Sequence, residues 1–134
     1  MNGIINLSTL LATMKPAIMP GDWVFCTVKG TLVDYVHLNP LATFVEAEGL
    51  TLLLSQTQAD QNNIAYSGTF KQITLTVHSS LEAVGLTAAI ATQLTEHNIS
   101  ANVVAAYYHD HIFIPIDKAQ LALAAINTLS AEHK

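Results

Sequence analysis

The stretch that decides the fold is Ile99-Ser100-Ala101-Asn102-Val103-Val104-Ala105-Ala106-Tyr107-Tyr108-His109-Asp110-His111-Ile112-Phe113-Ile114-Pro115-Ile116. It reads as two β-strands joined by a tight turn with His109 and Asp110 at its centre. A two-residue hairpin usually needs positive φ there, which His, Asp and Asn tolerate better than most non-glycine residues. Ile112, Ile114 and Ile116 alternate and should face one layer. Upstream, Ile73-Thr74-Leu75-Thr76-Val77-His78 alternates apolar and polar residues, so a strand is expected from Phe70 to His78. It enters Ser79-Ser80-Leu81-Glu82-Ala83-Val84-Gly85, the small-residue start of a helix expected from about Ala83 to His97. A last helix is expected from about Lys118 to Leu129, with Asp117 as N-cap and Gln120 completing a capping box. Ala122, Ala125, Ile126 and Leu129 form its buried face. The order strand, helix, strand, turn, strand, helix suits a split β-α-β sheet rather than a doubly wound one. No strand follows the last helix. The fourth strand of a β-α-β-β-α-β unit must then come from the first half, or the sheet stays one strand short.

The first half, taken as residues 1–64 against 65–134, begins with a helix from Leu7 to about Met14. Leu7, Leu10, Leu11 and Met14 share one face, and Pro16 and Pro20-Gly21 end it. Trp23-Val24-Phe25-Cys26-Thr27-Val28 is apolar on both faces, as a strand buried on both sides would be. The segment from Lys29-Gly30 to Pro40 reads as a loop or irregular hairpin. Thr43–Ala47 and Leu50–Leu54 are strands joined at Glu48-Gly49, and Gln56–Asn63 has the polarity of a short helix. The expected architecture is α+β: two ferredoxin-like units with antiparallel sheets.

Composition narrows the function. The 134 residues are 51% hydrophobic and 11% charged, so the chain is built to fold. Net charge is −5; there is no arginine, and the five lysines are scattered singly. Nucleic-acid binding needs clustered phosphate neutralisation, so no nucleic-acid partner is expected. Without arginine, backbone N–H groups at a helix start are the expected means of holding a small anion, if the chain holds one. No apolar run approaches the ~18 residues of a membrane span, and the first residues lack the features of a signal peptide. Cys26 is alone, which excludes an intrachain disulfide and makes the cytoplasm the default. No membrane partner and no cofactor are expected.

The second half resembles the ACT domain, a small regulatory ligand-binding module found in aspartokinases and other amino-acid-controlled enzymes. Ile73–Val77, Ser79–Gly85, Asn98–Val103 and Tyr107–Pro115 carry the resemblance. Phe44-Val45-Glu46-Ala47-Glu48-Gly49-Leu50-Thr51-Leu52-Leu53-Leu54 is similar in the first half. The whole chain resembles bacterial proteins that pair two ACT-like units without a catalytic domain. That implies a regulatory module binding a small molecule, an amino acid above all. The Ala83–His97 helix carries two apolar stripes, Val84, Ala88 and Ala91 on one side and Leu86, Ile90 and Leu94 on another, so a face of it, or a sheet edge, is expected to be covered by another such unit within the chain or in a homodimer. The resemblance implies a site at the loop after the first strand, the helix start and the second strand. Carried across, these are Ser79, Ser80, Leu81, Glu82, Ala83, Val84, Gly85, Leu86 and Thr87, with Ile99 to Val103, including Ala101, Asn102 and Val103.

The residues themselves leave alternatives open. Ser79 or Ser80 can cap the helix with Glu82 in its first turn, or the free N–H groups there can hold a ligand carboxylate. His109-Asp110-His111 suggests a metal, but a turn separates the histidines and no third ligand has clear spacing, so no metal is expected. Asp110 can instead face a ligand ammonium. Glu46 and Glu48 share a strand face and read as a solvated edge, Cys26 and Trp23 as core. No G-x-G-x-x-G, Walker loop, H-E-x-x-H or G-x-S-x-G occurs, so no enzyme is expected. The alternative to ligand binding is a ligand-free dimerisation or protein-interaction module. On this reading Gly85→Val should abolish amino-acid binding while leaving the fold largely intact.

Overall fold

A computed structural model describes residues 6–77 and 84–134. In chain order the elements are α1 (Leu7–Thr13), β1 (Pro16–Ile18), β2 (Trp23–Val28), β3 (Ala42–Val45), β4 (Leu50–Ser55), α2 (Gln56–Gln61), β5 (Phe70–Leu75), α3 (Leu86–Glu96), β6 (Asn102–Ala105), β7 (Asp110–Pro115) and α4 (Ala119–Ala131). The chain forms two compact units. One joins the residues up to Pro20 to Lys71–Lys134; the other is Gly21–Phe70.

The larger unit holds the strand that its own sequence lacks. β1 pairs antiparallel with β5, Pro16 opposite Leu75 and Ile18 opposite Ile73, and the strand order is β1-β5-β7-β6. This is the ferredoxin-like order, with the fourth strand supplied from before the first. Its single core explains why α1 comes too. Leu10, Leu11 and Met14 are buried among Ile73, Leu75, Ile90, Leu94, Ile112, Ile114 and Ile126. A seven-residue helix does not persist alone in water. Burying each such side chain supplies roughly 1.5–3 kcal/mol. Asn6 caps α1: its side-chain oxygen accepts the Thr9 N–H at 3.0 Å. Asn6→Ala is expected to lower unfolding stability by about 1 kcal/mol, read from denaturant melts.

α3 covers the same core with Leu86, Ile90 and Leu94, one of its two apolar stripes. Its second stripe differs: Val84, ahead of the helix, and Ala88 are exposed, and Ala91 is half-buried. The helix starts later than expected, at Leu86, with Gly85 as N-cap at φ +96°. Its end is set by Asn98, left-handed at φ +57°. There the Ile99 N–H reaches back to Leu94 C=O and the Asn98 N–H to Thr95 C=O, both at 2.9 Å.

The hairpin forms, but its turn lies two residues earlier than expected. The Ala106 N–H donates to His109 C=O at 3.1 Å, placing Tyr107 and Tyr108 at the centre. Neither His109 nor Asp110 has positive φ; among the described non-glycine residues only Asn39, Asn63 and Asn98 do. Asp110 already lies in the ladder opposite Ala105, so it cannot serve the turn. Ile112 and Ile114 are buried as expected. Ile116 has left the strand for a 3-10 turn (Ile116–Lys118) and is exposed. That turn also removes Asp117 from the cap position: α4 begins after Lys118 and no side chain caps it.

The smaller unit repeats the plan in reduced form. Its strand order is β3-β4-β2, with Phe70 opposite Trp23 beyond. The β3–β4 register, Ala42 opposite Leu53 and Val45 opposite Leu50, recurs in β6–β7 as Asn102 opposite Phe113 and Ala105 opposite Asp110. Where the larger unit has α3, this one has two 3-10 turns, Leu32–Asp34 and Val36–Leu38. β2 is not buried on both faces: Val24 and Cys26 point into the core with Leu50, Leu52 and Leu54, while Trp23 and Phe25 are half-buried. The β3–β4 connection centres on Ala47-Glu48, because Glu46 and Gly49 exchange both backbone bonds, at 3.0 and 3.3 Å. Ser55 caps α2 by accepting the Gln58 N–H at 3.2 Å. The Tyr66 hydroxyl donates to Asp60 Oδ1 at 2.7 Å and accepts from Gln56 Nε2 at 3.0 Å.

Candidate functional site

Ser79, Ser80, Leu81, Glu82 and Ala83, five of the residues expected at the site, lie outside the described residues. The remaining ones divide. Leu86 is buried in the core of the larger unit, and Ala101 and Val103 pack against that core. The Leu86 side chain therefore serves packing, and those of Ala101 and Val103 are half-buried. Val84 is 80% exposed, and Thr87 and Asn102 are also exposed. Asn102 Nδ2 donates to Phe113 C=O at 3.3 Å, steadying the start of β6.

Gly85 shapes the helix start. Its φ of +96° is open to glycine and strained for any L-residue. A Cβ there would stand 3.1 Å from Leu7 Cδ2 of α1. The helical ladder opens with Ala89 N–H on Gly85 C=O at 2.9 Å, and glycine has no side chain to cap the turn. The N–H groups of Leu86, Thr87 and Ala88 thus have no partner within the helix. They carry the positive end of its dipole, the usual means of holding a carboxylate without arginine.

The His-Asp-His run is pulled in separate directions. His109 Nδ1–H donates to Val77 C=O at 3.2 Å. His111 Nδ1 lies 2.9 Å from Thr74 Oγ1 and 3.1 Å from Gln72 Nε2. Gln72 Nε2 also donates to Thr74 Oγ1 at 3.2 Å. An amide N–H can only donate, so Nδ1 of His111 accepts and its proton sits on Nε2. Gln72, Thr74 and Asp110 are all buried. Among the described residues no three His, Cys, Asp or Glu side chains converge as a metal would require. This Gln72–Thr74–His111 cluster was not foreseen. The polar residues at alternate positions 72 and 74 were its only sequence signal, and they read equally well as a solvated strand face.

Burial holds the His111 pKa below the usual histidine value, helped by His109 and opposed by Asp110. The sign follows. The unfolded chain takes up a proton that the folded chain resists, so stability rises with pH through the window below about 6.5 and is lost as pH falls through it. Thermal unfolding at about pH 5 and pH 7 should show the lower melting temperature at the lower pH, and His111→Asn should shrink the difference. Burial also raises the Cys26 thiol above its ordinary value, which suits packing rather than nucleophilic chemistry.

Two family models described as ACT domain match the sequence, one over residues 2–71 and the other over 69–128. The chain belongs to the ACT-domain family. A protein of unknown function from Vibrio cholerae, described as a possible transport protein, is 58% identical over 92% of this chain and 95% of its own, with a TM-score of 0.86. The ligand-free regulatory subunit of aspartate kinase from Thermus thermophilus shares the fold at 9% identity, with a TM-score of 0.61 over 89% of this chain and 98% of its own. So does a Porphyromonas gingivalis protein described as a C-terminal regulatory domain of aspartate kinase, at 11% identity and a TM-score of 0.60 over 87% and 96%. None of the curated proteins matches the sequence. In this ACT-domain chain no helix among the described residues is long and apolar enough to cross a membrane.

Proposed function

We propose that this chain is a non-catalytic regulatory module that binds a free amino acid and passes the occupied state to a partner. The observation that carries the reading is the start of α3, which no side chain caps among the described residues. Three backbone N–H groups follow Gly85 there, in a family of regulatory domains and in a chain with no arginine to do the same task. The ligand carboxylate is proposed to sit on backbone N–H groups around Leu81–Thr87. Its ammonium faces Asp110 or Glu82, and Ser79, Ser80, Ala83, Val84, Gly85, Leu86, Ala101, Asn102 and Val103 complete the surroundings. The buried carboxylate of Asp110 favours it for the charged contact, because an ion pair in a less watery setting is stronger. The sequence units are proposed as 1–64 and 65–134, the first lending α1 and β1 to the second. A cytoplasmic homodimer is proposed with them, on the strength of the single cysteine and the family.

Calorimetry on the parent and on Asp110→Asn tests the site once a binding amino acid is found. The variant should bind more weakly by about 1.5–3 kcal/mol, the worth of a hydrogen bond to a charged group. Unchanged affinity would place the ammonium elsewhere. The exposed Phe44 and Val45 favour a second reading, self-association without a ligand; a parent that binds no amino acid at millimolar concentration would leave that one standing.

A further inference from the structure

At the far end of α3 the larger unit carries a groove of about 490 Å³. That volume is within the range that holds small molecules. One wall is the last turn of α3 and the loop that leaves it, through Thr95, Asn98 and Ser100. The other is the 3-10 turn before α4, through Asp117 and Lys118. Ile99, which is buried, and Pro115 supply the apolar part of the lining. α3 is 11 residues long, so the groove lies roughly 15 Å from the helix start at Gly85. It is a different place from the site proposed above.

The polar side chains of this groove are uncommitted. Elsewhere helical threonines turn back on their own backbone: the Thr13 hydroxyl donates to Thr9 C=O at 2.6 Å and that of Thr128 to Ala124 C=O at 3.0 Å. Thr95, Asn98 and Ser100 make no side-chain hydrogen bond among the described residues. Asp117 and Lys118 follow each other on a helical turn, where successive side chains do not face one another. They form no ion pair among the described residues, so both charges stay available at the groove. Asn98 adds a signal from the sequence. Its backbone is left-handed at φ +57°, the position where a helix usually ends on glycine. Asparagine keeps that conformation and adds a carboxamide, which both donates and accepts.

We propose that this groove binds a short peptide with free termini, of dipeptide size. The chemistry of the lining selects it. Lys118 takes the carboxylate and Asp117 the ammonium, each a charge-assisted contact. The Asn98 carboxamide and the two hydroxyls supply donors and acceptors for the amide between them. Ile99 and Pro115 receive small apolar side chains. A phosphate would meet the Asp117 carboxylate, and a metal ion would find one carboxylate where it needs several ligands. A free amino acid has both charges but no amide to use the neutral groups. The assignment needs neither Gly85 nor Asp110, so it stands apart from the amino-acid reading.

The test is an NMR titration of the isotope-labelled full chain with alanylalanine. Saturable shifts are expected at the amides of Asn98, Ser100, Asp117 and Lys118, and none at Leu86, Thr87 and Ala88. The N-acetyl derivative lacks the ammonium and the C-terminal amide lacks the carboxylate. Each should bind at least about threefold more weakly, within what partly exposed charge pairs contribute. Lys118→Gln should erase the difference between the peptide and its amide, and Asp117→Asn that between the peptide and its N-acetyl form. Asn98→Gly keeps the left-handed backbone, so the fold should stand while affinity falls. Asp110→Asn should leave the titration unchanged. Free alanine that saturates the same amides with equal affinity would overturn the peptide assignment. No saturable shift up to the peptide's solubility, or shifts that vanish in Asp110→Asn, would overturn the groove as a site. Neither result bears on amino-acid binding at the α3 start.

Discussion

Leu10→Ala is expected to lower unfolding stability by about 2–5 kcal/mol, the cost of emptying a fully buried leucine site. The residue is 0% exposed, and its neighbours lie mostly beyond residue 70 in the sequence. The prediction therefore tests topology as well as packing. If α1 and β1 are structural members of the unit formed by Lys71–Lys134, amide protection in β5, β7 and α4 should fall together in the variant. If α1 were only an appendage, the loss would stay confined to the N-terminal residues. Equilibrium unfolding with hydrogen exchange on the variant separates the two.

Gly85→Val is expected to cost stability as well as any ligand binding at the α3 start. The sequence reading, in which the glycine serves only close approach to a ligand, expects the fold to be left largely intact. The backbone at φ +96° changes that expectation. A β-branched L-residue is strained there by about 1–3 kcal/mol. Its Cβ also crowds Leu7 Cδ2, at 3.1 Å, although a leucine methyl has some room to give. Gly85→Ala isolates the backbone share, since it adds one methyl without branching. Denaturant midpoints for the two variants should fall in the order parent, Ala, Val. A parent-like midpoint for Ala would show that the positive φ is not needed.

Much of the fold was legible because the strongest signals are periodic. Alternation marked Ile112 and Ile114, and helical spacing marked Leu10, Leu11 and Met14, because burial on one face imposes those patterns. Counting strands showed that one had to come from the first half or the sheet would stay one strand short, but not which segment would supply it. Pro16–Ile18 is three residues long and opens on proline, too short to leave an alternation. The turn was misplaced because His and Asp suit positive φ in general. Here the ladder claims Asp110, and the reversal falls on two tyrosines whose rings meet edge to face, centroids 5.0 Å apart. The cap on α4 was misread because a capping-box pattern also fits a segment that makes a 3-10 turn first.

The site was less legible for a physical reason. Its proposed contacts are backbone N–H groups, and every residue carries one, so the sequence marks such a site only through Gly85 and the absence of arginine. The exposed β3 edge was hidden for the opposite reason. Phe44 and Val45 look like core residues until the pairing order leaves them at an edge.

The central claim, that this ACT-domain chain binds a free amino acid, is tested most directly by thermal unfolding of the intact protein against each of the twenty common amino acids at millimolar concentration. One of them, or a small set of related ones, should raise the melting temperature in a concentration-dependent way. The stabilisation should follow RT ln(1 + [L]/Kd) and reach ~2.7 kcal/mol at a hundredfold excess over Kd. A melting temperature that none of the twenty moves would contradict the claim.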